Sequence, residues 1–287
     1  MYWLDSAKGF GVILIIAGHL LYISDLKWLN KLIYAFHVPM FFLFAGYTCH
    51  ISKEHFLYKK VKRLLIPFVS YALVGFPYFA ALHYKEAFNN NTMGGIFTLI
   101  CNTLYFKGTL YNAPLWFLIV LFELFAISFL LNISKTKHFL WVILSCIASC
   151  ALSFFIYLCN ISCFKFFGFD RAILMFTFFS AGIIISRIKL DKINKVCILL
   201  TGFFSLIILV VFGVILNTKV SVYSYQLGRY PFFLLSSFGG SLASIVLCYV
   251  FFNKKCFLSE LSKYGILFLG TQYFLIGPFR YVINDKM

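Results

Sequence analysis

The sequence predicts an all-α polytopic membrane protein, a bundle of about 9–10 transmembrane helices. Three observations predict it. Hydrophobic residues make up 62% of the chain and charged residues only 12%, whereas a soluble domain is roughly half apolar and about a quarter charged. The apolar residues are gathered into runs near the roughly 20 residues that a helix needs to cross a bilayer. The positive charges fall between those runs, concentrated in alternate connections.

Nine spans are read, at about 8–24, 32–51, 64–83, 114–132, 139–158, 172–187, 196–216, 231–252 and 264–283. The first is "GFGVILIIAGHLL", apolar except for His19. The second contains "FHVPMFFLFAGY" and so holds His37 and a helix-interior proline, Pro39. The third follows the basic run "KKVKRLLIP" (Lys59–Pro67), and the fourth opens on "APLWFL" (Ala113–Leu118). Spans five, seven and eight carry no charged residue, and span six starts just after Asp170 and Arg171. Residues 96–106 are apolar but too short to cross, and read as a re-entrant or interfacial segment. The expectation is a single integral-membrane domain over 1–287, with no cleavable signal peptide because the first run has no small-residue cleavage site.

Net charge is +16, yet nothing resembles a basic helix presented to nucleic acid by a soluble support. Topology explains the excess better, because cytoplasmic connections are enriched in Lys and Arg. Lys53, Lys59, Lys60, Lys62 and Arg63 follow span two; Lys135 and Lys137 follow span four. Arg187, Lys189, Lys192 and Lys195 follow span six, and Lys254, Lys255 and Lys263 follow span eight. All four connections share one side, and a cytoplasmic N-terminus follows. The nine cysteines are scattered and mostly inside apolar runs, which reads as packing rather than as a disulfide framework or a metal site. No metal is expected.

Ionisable groups inside a span are costly and point to function. Lys8 and His19 stand eleven residues apart in "KGFGVILIIAGH". Eleven helical residues rise about 16 Å and return to nearly the same face, so the two lie on one stripe at different depths. His37 enters span two at the depth at which His19 leaves span one. Either histidine could instead serve a neighbouring helix as a structural hydrogen-bond partner. Pro39 frees the carbonyl of Ala35, which a neighbouring helix or His37 itself could satisfy, and Gly46 suits close helix approach. Lys59–Arg63 reads as a topology signal or as an anion site for a phosphorylated cofactor. Trp116 reads as an interfacial belt residue or a sugar platform. Asp170 and Arg171 could pair with each other or bind sugar hydroxyls, and Glu123 needs a partner or a cavity.

Taken together, "LDSAKGFGVILIIAGH" (Leu4–His19), "FHVPMFFLFAGY" (Phe36–Tyr47), "KKVKRLLIP" and "PLWFL" (Pro114–Leu118) resemble the membrane-bound acyltransferase 3 family, carbohydrate O-acetyltransferase-like proteins. The resemblance implies transfer of an acyl group, commonly acetyl, from cytoplasmic acyl-CoA to a hydroxyl of a cell-envelope polysaccharide or lipid-linked sugar. It also implies a bacterial inner membrane. His19 matches the family's essential histidine and Lys8 its basic partner, with His37 in support. Lys60 and Arg63 fit the family's donor-associated Arg-x-x-Arg element, with Lys in place of the first Arg. Trp116, Asp170 and Arg171 are then expected on the acceptor side. Two departures accompany the match: members commonly have ten main spans, so a final span or tail is expected to be missing, and Gln272 stands in "GTQYF" where many relatives carry histidine. An exporter or flippase that moves a glycan without covalent chemistry would share the same bundle and charge pattern, and a relative that only binds glycan or protein is a third reading.

Overall fold

The computed structural model describes residues 1–21, 26–51, 55–82, 113–133, 139–161 and 167–272. The expected segment 96–106 and the far part of span nine lie outside them. Among the described residues the structure is helical, with a single isolated bridge between Ser221 and Gln226.

Six helices are long and apolar enough to cross a membrane: α1 (Tyr2–Leu21), α2 (Lys27–Tyr47), α6 (Phe139–Cys159), α7 (Phe169–Ser186), α8 (Lys195–Ile208, continued by a π-turn Leu209–Ile215) and α9 (Tyr230–Phe251). They match spans one, two, five, six, seven and eight. Span three appears as α4 (Ile66–Leu82), entered through a short helix α3 (Phe56–Lys60) and a π-turn at Val61–Leu65. Span four is the shorter apolar helix α5 (Trp116–Leu130). After a short helix α10 (Phe257–Leu261), span nine begins as the helix α11 at 265–272. The chain is an integral membrane protein: in lipid each backbone polar group must be paired within the protein, which these helices achieve along their length.

Helices α2 and α7 form the centre and are buried over most of their length, whereas α6 and α8 are buried over only a minority. The outer helices present Leu140, Trp141, Ile147, Phe203 and Phe204, the composition that acyl chains favour. Close approach of the central pair depends on two glycines. A Cβ at Gly46 would collide with the Phe179 carbonyl, and one at Gly182 with the Leu43 carbonyl. Small residues at such crossings let backbones touch where no hydrophobic drive separates protein from lipid.

Pro39 leaves the Ala35 carbonyl without its helical donor. Ser237 Oγ, from α9, donates to that carbonyl at 2.7 Å. His37 does something else: its Nδ1 bonds the Ile33 carbonyl at 2.8 Å. The proline thus ties α2 to α9 and leaves the imidazole at liberty to serve a cavity.

The two ends of the bundle differ in chemistry. At one end Ser6 of α1 donates to the Phe252 carbonyl, and Tyr249 donates to Asp191 at 2.7 Å. Of the described basic residues, Lys8, Lys60, Arg63, Lys189, Lys192 and Lys255 stand at or beside this end, the basic end. At the other end Asn30 Nδ2 donates to the Gly18 carbonyl, joining α2 to α1 beside His19. A tight turn at residues 221–226, closed by the Ser221–Gln226 backbone pair, also lies at this end.

Candidate active site

A cavity of about 620 Å³ opens between α1, α2, α5 and α11. Lys8, Lys60, Arg63 and Lys263 line it at the basic end; His19, Tyr34, His37, Trp116 and Tyr223 line it toward the other. Lys8 and His19 thus face one space while standing about 16 Å apart along α1. Among the described residues no Asp or Glu lines this cavity, though Asp5 lies within electrostatic reach of Lys8 and Glu260 pairs with Lys263.

Each side chain arrives for a local reason. Gly18 has no side chain, and the Tyr34 ring occupies the space a Cβ would contact. That ring stands edge-on to both imidazoles, 6.5 Å from His19 and 5.0 Å from His37 between centroids. His37 is buried. Its bond to Ile33 fixes its tautomer, since a backbone carbonyl only accepts: Nδ1 carries the proton and Nε2 the lone pair. Lys60 lies with its ammonium 3.4 Å from the centroid of Phe125 and 5.3 Å from that of Phe56. Phe56 is itself stacked on Phe129 at 5.9 Å. Burial lowers the pKa of Lys60 to about 8. Lys263 is held instead by Glu260 at 2.7 Å, which raises its pKa.

The residues read as acceptor-side ligands separate into two groups. Trp116 lines the cavity, its ring 6.4 Å from Tyr223. Asp170 and Arg171 do not line it. They are buried, paired to each other at 2.9 Å, and Arg171 Nε donates to the Tyr223 carbonyl at 2.8 Å. Their geometry holds the 221–226 turn in place, and Tyr223 is the residue of that turn that reaches the cavity with Ser221 and Val222. Glu123 is within electrostatic reach of the pair, and one of its oxygens is buried with no hydrogen-bond partner among the described residues.

Tyr34, Tyr223 and Lys263 are site residues that the sequence reading missed. Tyr34 carries a signal, because it precedes His37 by three residues and so shares its helix face. Lys263 shows in the sequence only as one of the charges that orient the bundle. Tyr223 has no sequence signal, since a turn that folds back into a bundle mouth leaves no period.

The acyltransferase 3 family model, described as an acyltransferase domain, matches residues 1–286. The chain belongs to the acyltransferase 3 family. No curated protein and no solved structure matches it. The cavity of this acyltransferase holds groups that could serve acyl transfer. A neutral imidazole can take a hydroxyl proton, cations can hold an anion, and Val12, Phe41 and Phe117 add an apolar wall. Lys8, Lys60, Arg63 and Lys263 could hold a phosphorylated group. Among the described residues no cluster of His, Cys, Asp and Glu is arranged for a metal ion.

Proposed function

We propose that this acyltransferase moves an acyl group, most simply acetyl, from acyl-CoA to a hydroxyl of a cell-envelope polysaccharide or lipid-linked sugar. The membrane is a bacterial inner membrane, with the N-terminus and the basic end in the cytoplasm. The supporting observation is the shared cavity: cations suited to the donor's phosphates and a histidine pair suited to proton transfer line the same space.

In this reading Lys8, Lys60 and Arg63 hold the diphosphate and phosphate of the donor, and the thioester arm extends along α1. The acceptor enters past Trp116 and Tyr223. His19 takes the proton of the attacking hydroxyl as its oxygen bonds to the thioester carbonyl carbon. The tetrahedral centre then collapses, the carbon–sulfur bond breaks, and the proton passes to the departing thiolate. The products are an O-acyl ester and free CoA thiol. His37, its Nδ1 proton fixed on Ile33, offers Nε2 to a neighbouring hydroxyl of the acceptor and so orients it, and Tyr34 keeps the two rings in register.

The test uses membranes containing the wild type, His19→Ala or Lys8→Ala at matched expression, with acyl-labelled acetyl-CoA and envelope glycan. Label in the glycan with the wild type and a loss of about 10²-fold or more with His19→Ala supports the reading. Equal labelling by both would remove His19 from the chemistry. Movement of glycan across the membrane with no label incorporated would replace acyl transfer by export.

A further inference from the structure

Helix α11 presents one face to the cavity through Ile266, Leu269 and Gln272, spaced i, i+3 and i+6. Two of the three are apolar. The third is a primary amide, only 5% exposed, with no hydrogen bond to any described side chain or backbone group. A buried amide usually finds a partner. This one faces a cavity.

Its height follows from the packing against α1. Gly9 abuts the Leu258 carbonyl, and Gly265 lies against Val12, whose Cγ2 would be 3.8 Å from an added Cβ. The chain after Leu258 therefore ascends in the same direction as α1. From Val12 to His19 is seven residues, and from Gly265 to Gln272 is also seven, so both climb about 10 Å. Gln272 and His19 line the same cavity at the same level.

We infer that Gln272 is the hydrogen-bond donor for the acyl carbonyl oxygen, holding it as negative charge develops during attack by the acceptor hydroxyl. This rests on the acyl-transfer reading above and names a part that reading lacks. An amide N–H can stabilise an oxyanion without titrating, and a preorganised donor needs no reorganisation as the charge develops. No cation fits this place among the lining residues described at this level: the lining cations sit at the basic end. The electron and proton balance is unchanged, since Gln272 donates a hydrogen bond and transfers nothing.

The experiment measures initial rates of label transfer for wild type, Gln272→Met and Gln272→Glu at several donor and acceptor concentrations. Met keeps the volume and removes the donor. Glu keeps the shape and replaces the donor with an acceptor. The expected result is a fall in kcat of about 10²-fold for Gln272→Met, with both KM values little changed, as for loss of one oxyanion donor, and at least as large a fall for Gln272→Glu. Wild-type kcat in Gln272→Met would overturn the inference while leaving the acyl-transfer reading intact. A raised acceptor KM with kcat unchanged would also overturn it, by assigning the amide to the sugar. Absence of transfer by the wild type itself would instead remove the reading on which it rests.

Discussion

Lys60 offers a prediction whose size can be worked from the structure. Its ammonium is wedged against Phe125 and Phe56, and desolvation brings its pKa from 10.5 to about 8. That drop corresponds to about 3 kcal/mol against the charged form. Repulsion from Arg63 and Lys8 contributes to the same shift. A CoA thioester has no group that titrates near 8, because its phosphates are already ionised. The sign follows directly. Below about pH 8 Lys60 is cationic and holds the donor; above it the charge is lost and the donor KM rises. One group gives at most a tenfold rise per pH unit. The rise ends when the whole interaction is lost, about 10- to 100-fold for a charged hydrogen bond of about 1.5–3 kcal/mol. Donor KM should therefore be level from pH 6.5 to 7.5 and climb from 8 to 9.5 in the wild type. Lys60→Arg should be level throughout, since guanidinium does not titrate there, and Lys60→Met should be level at the high value. A wild-type KM that does not change across pH 8, or an unchanged break in Lys60→Arg, would refute the assignment of Lys60 to the donor.

Gly46→Leu should prevent the α2–α7 crossing, because the new side chain would enter the Phe179 carbonyl; a loss of about 1–3 kcal/mol or more should appear as a lowered Tm of the detergent-solubilised protein. Arg171→Leu should lower yield and Tm, since it strips the guanidinium from a buried carboxylate at a cost of about 3–5 kcal/mol and frees the 221–226 turn. Trp116→Ala should raise the acceptor KM and also lower Tm, because the indole is buried against Phe42, Phe117 and Tyr223 and its loss costs about 3–5 kcal/mol. Ser237→Ala should cost about 1 kcal/mol, read as a small fall in Tm, by leaving the Ala35 carbonyl beside Pro39 without a donor.

The spans were legible because lipid imposes one rule on every residue: about 20 apolar positions, internally bonded. The stripe from Lys8 to His19 was legible for a similar reason, since helical period alone returns residue eleven to the same face. Pro39 announced an orphaned carbonyl but not its partner, because Ser237 lies on a helix 202 residues away. Asp170 and Arg171, charges at a span entrance, read equally as a mutual pair or as sugar ligands; packing decides for the pair and shows that it closes on Tyr223. Gln272 stood out as a departure from the family's residue, and its cavity-facing position emerged only from the register of α11 against α1.

The central claim is that an acyl group presented from the basic end reaches the histidine pair through the cavity. The most direct test is photo-crosslinking with a non-transferable thioether analogue of acyl-CoA carrying a diazirine on its acyl carbon, followed by peptide mapping. The account expects adducts at the level of His19, on Tyr34, His37 or Gln272, suppressed by excess acetyl-CoA and weakened in Lys60→Met. Competable adducts confined to the neighbourhood of Lys8 and Lys263 would contradict it, because the donor would then bind at the basic end without delivering its acyl group to the histidines.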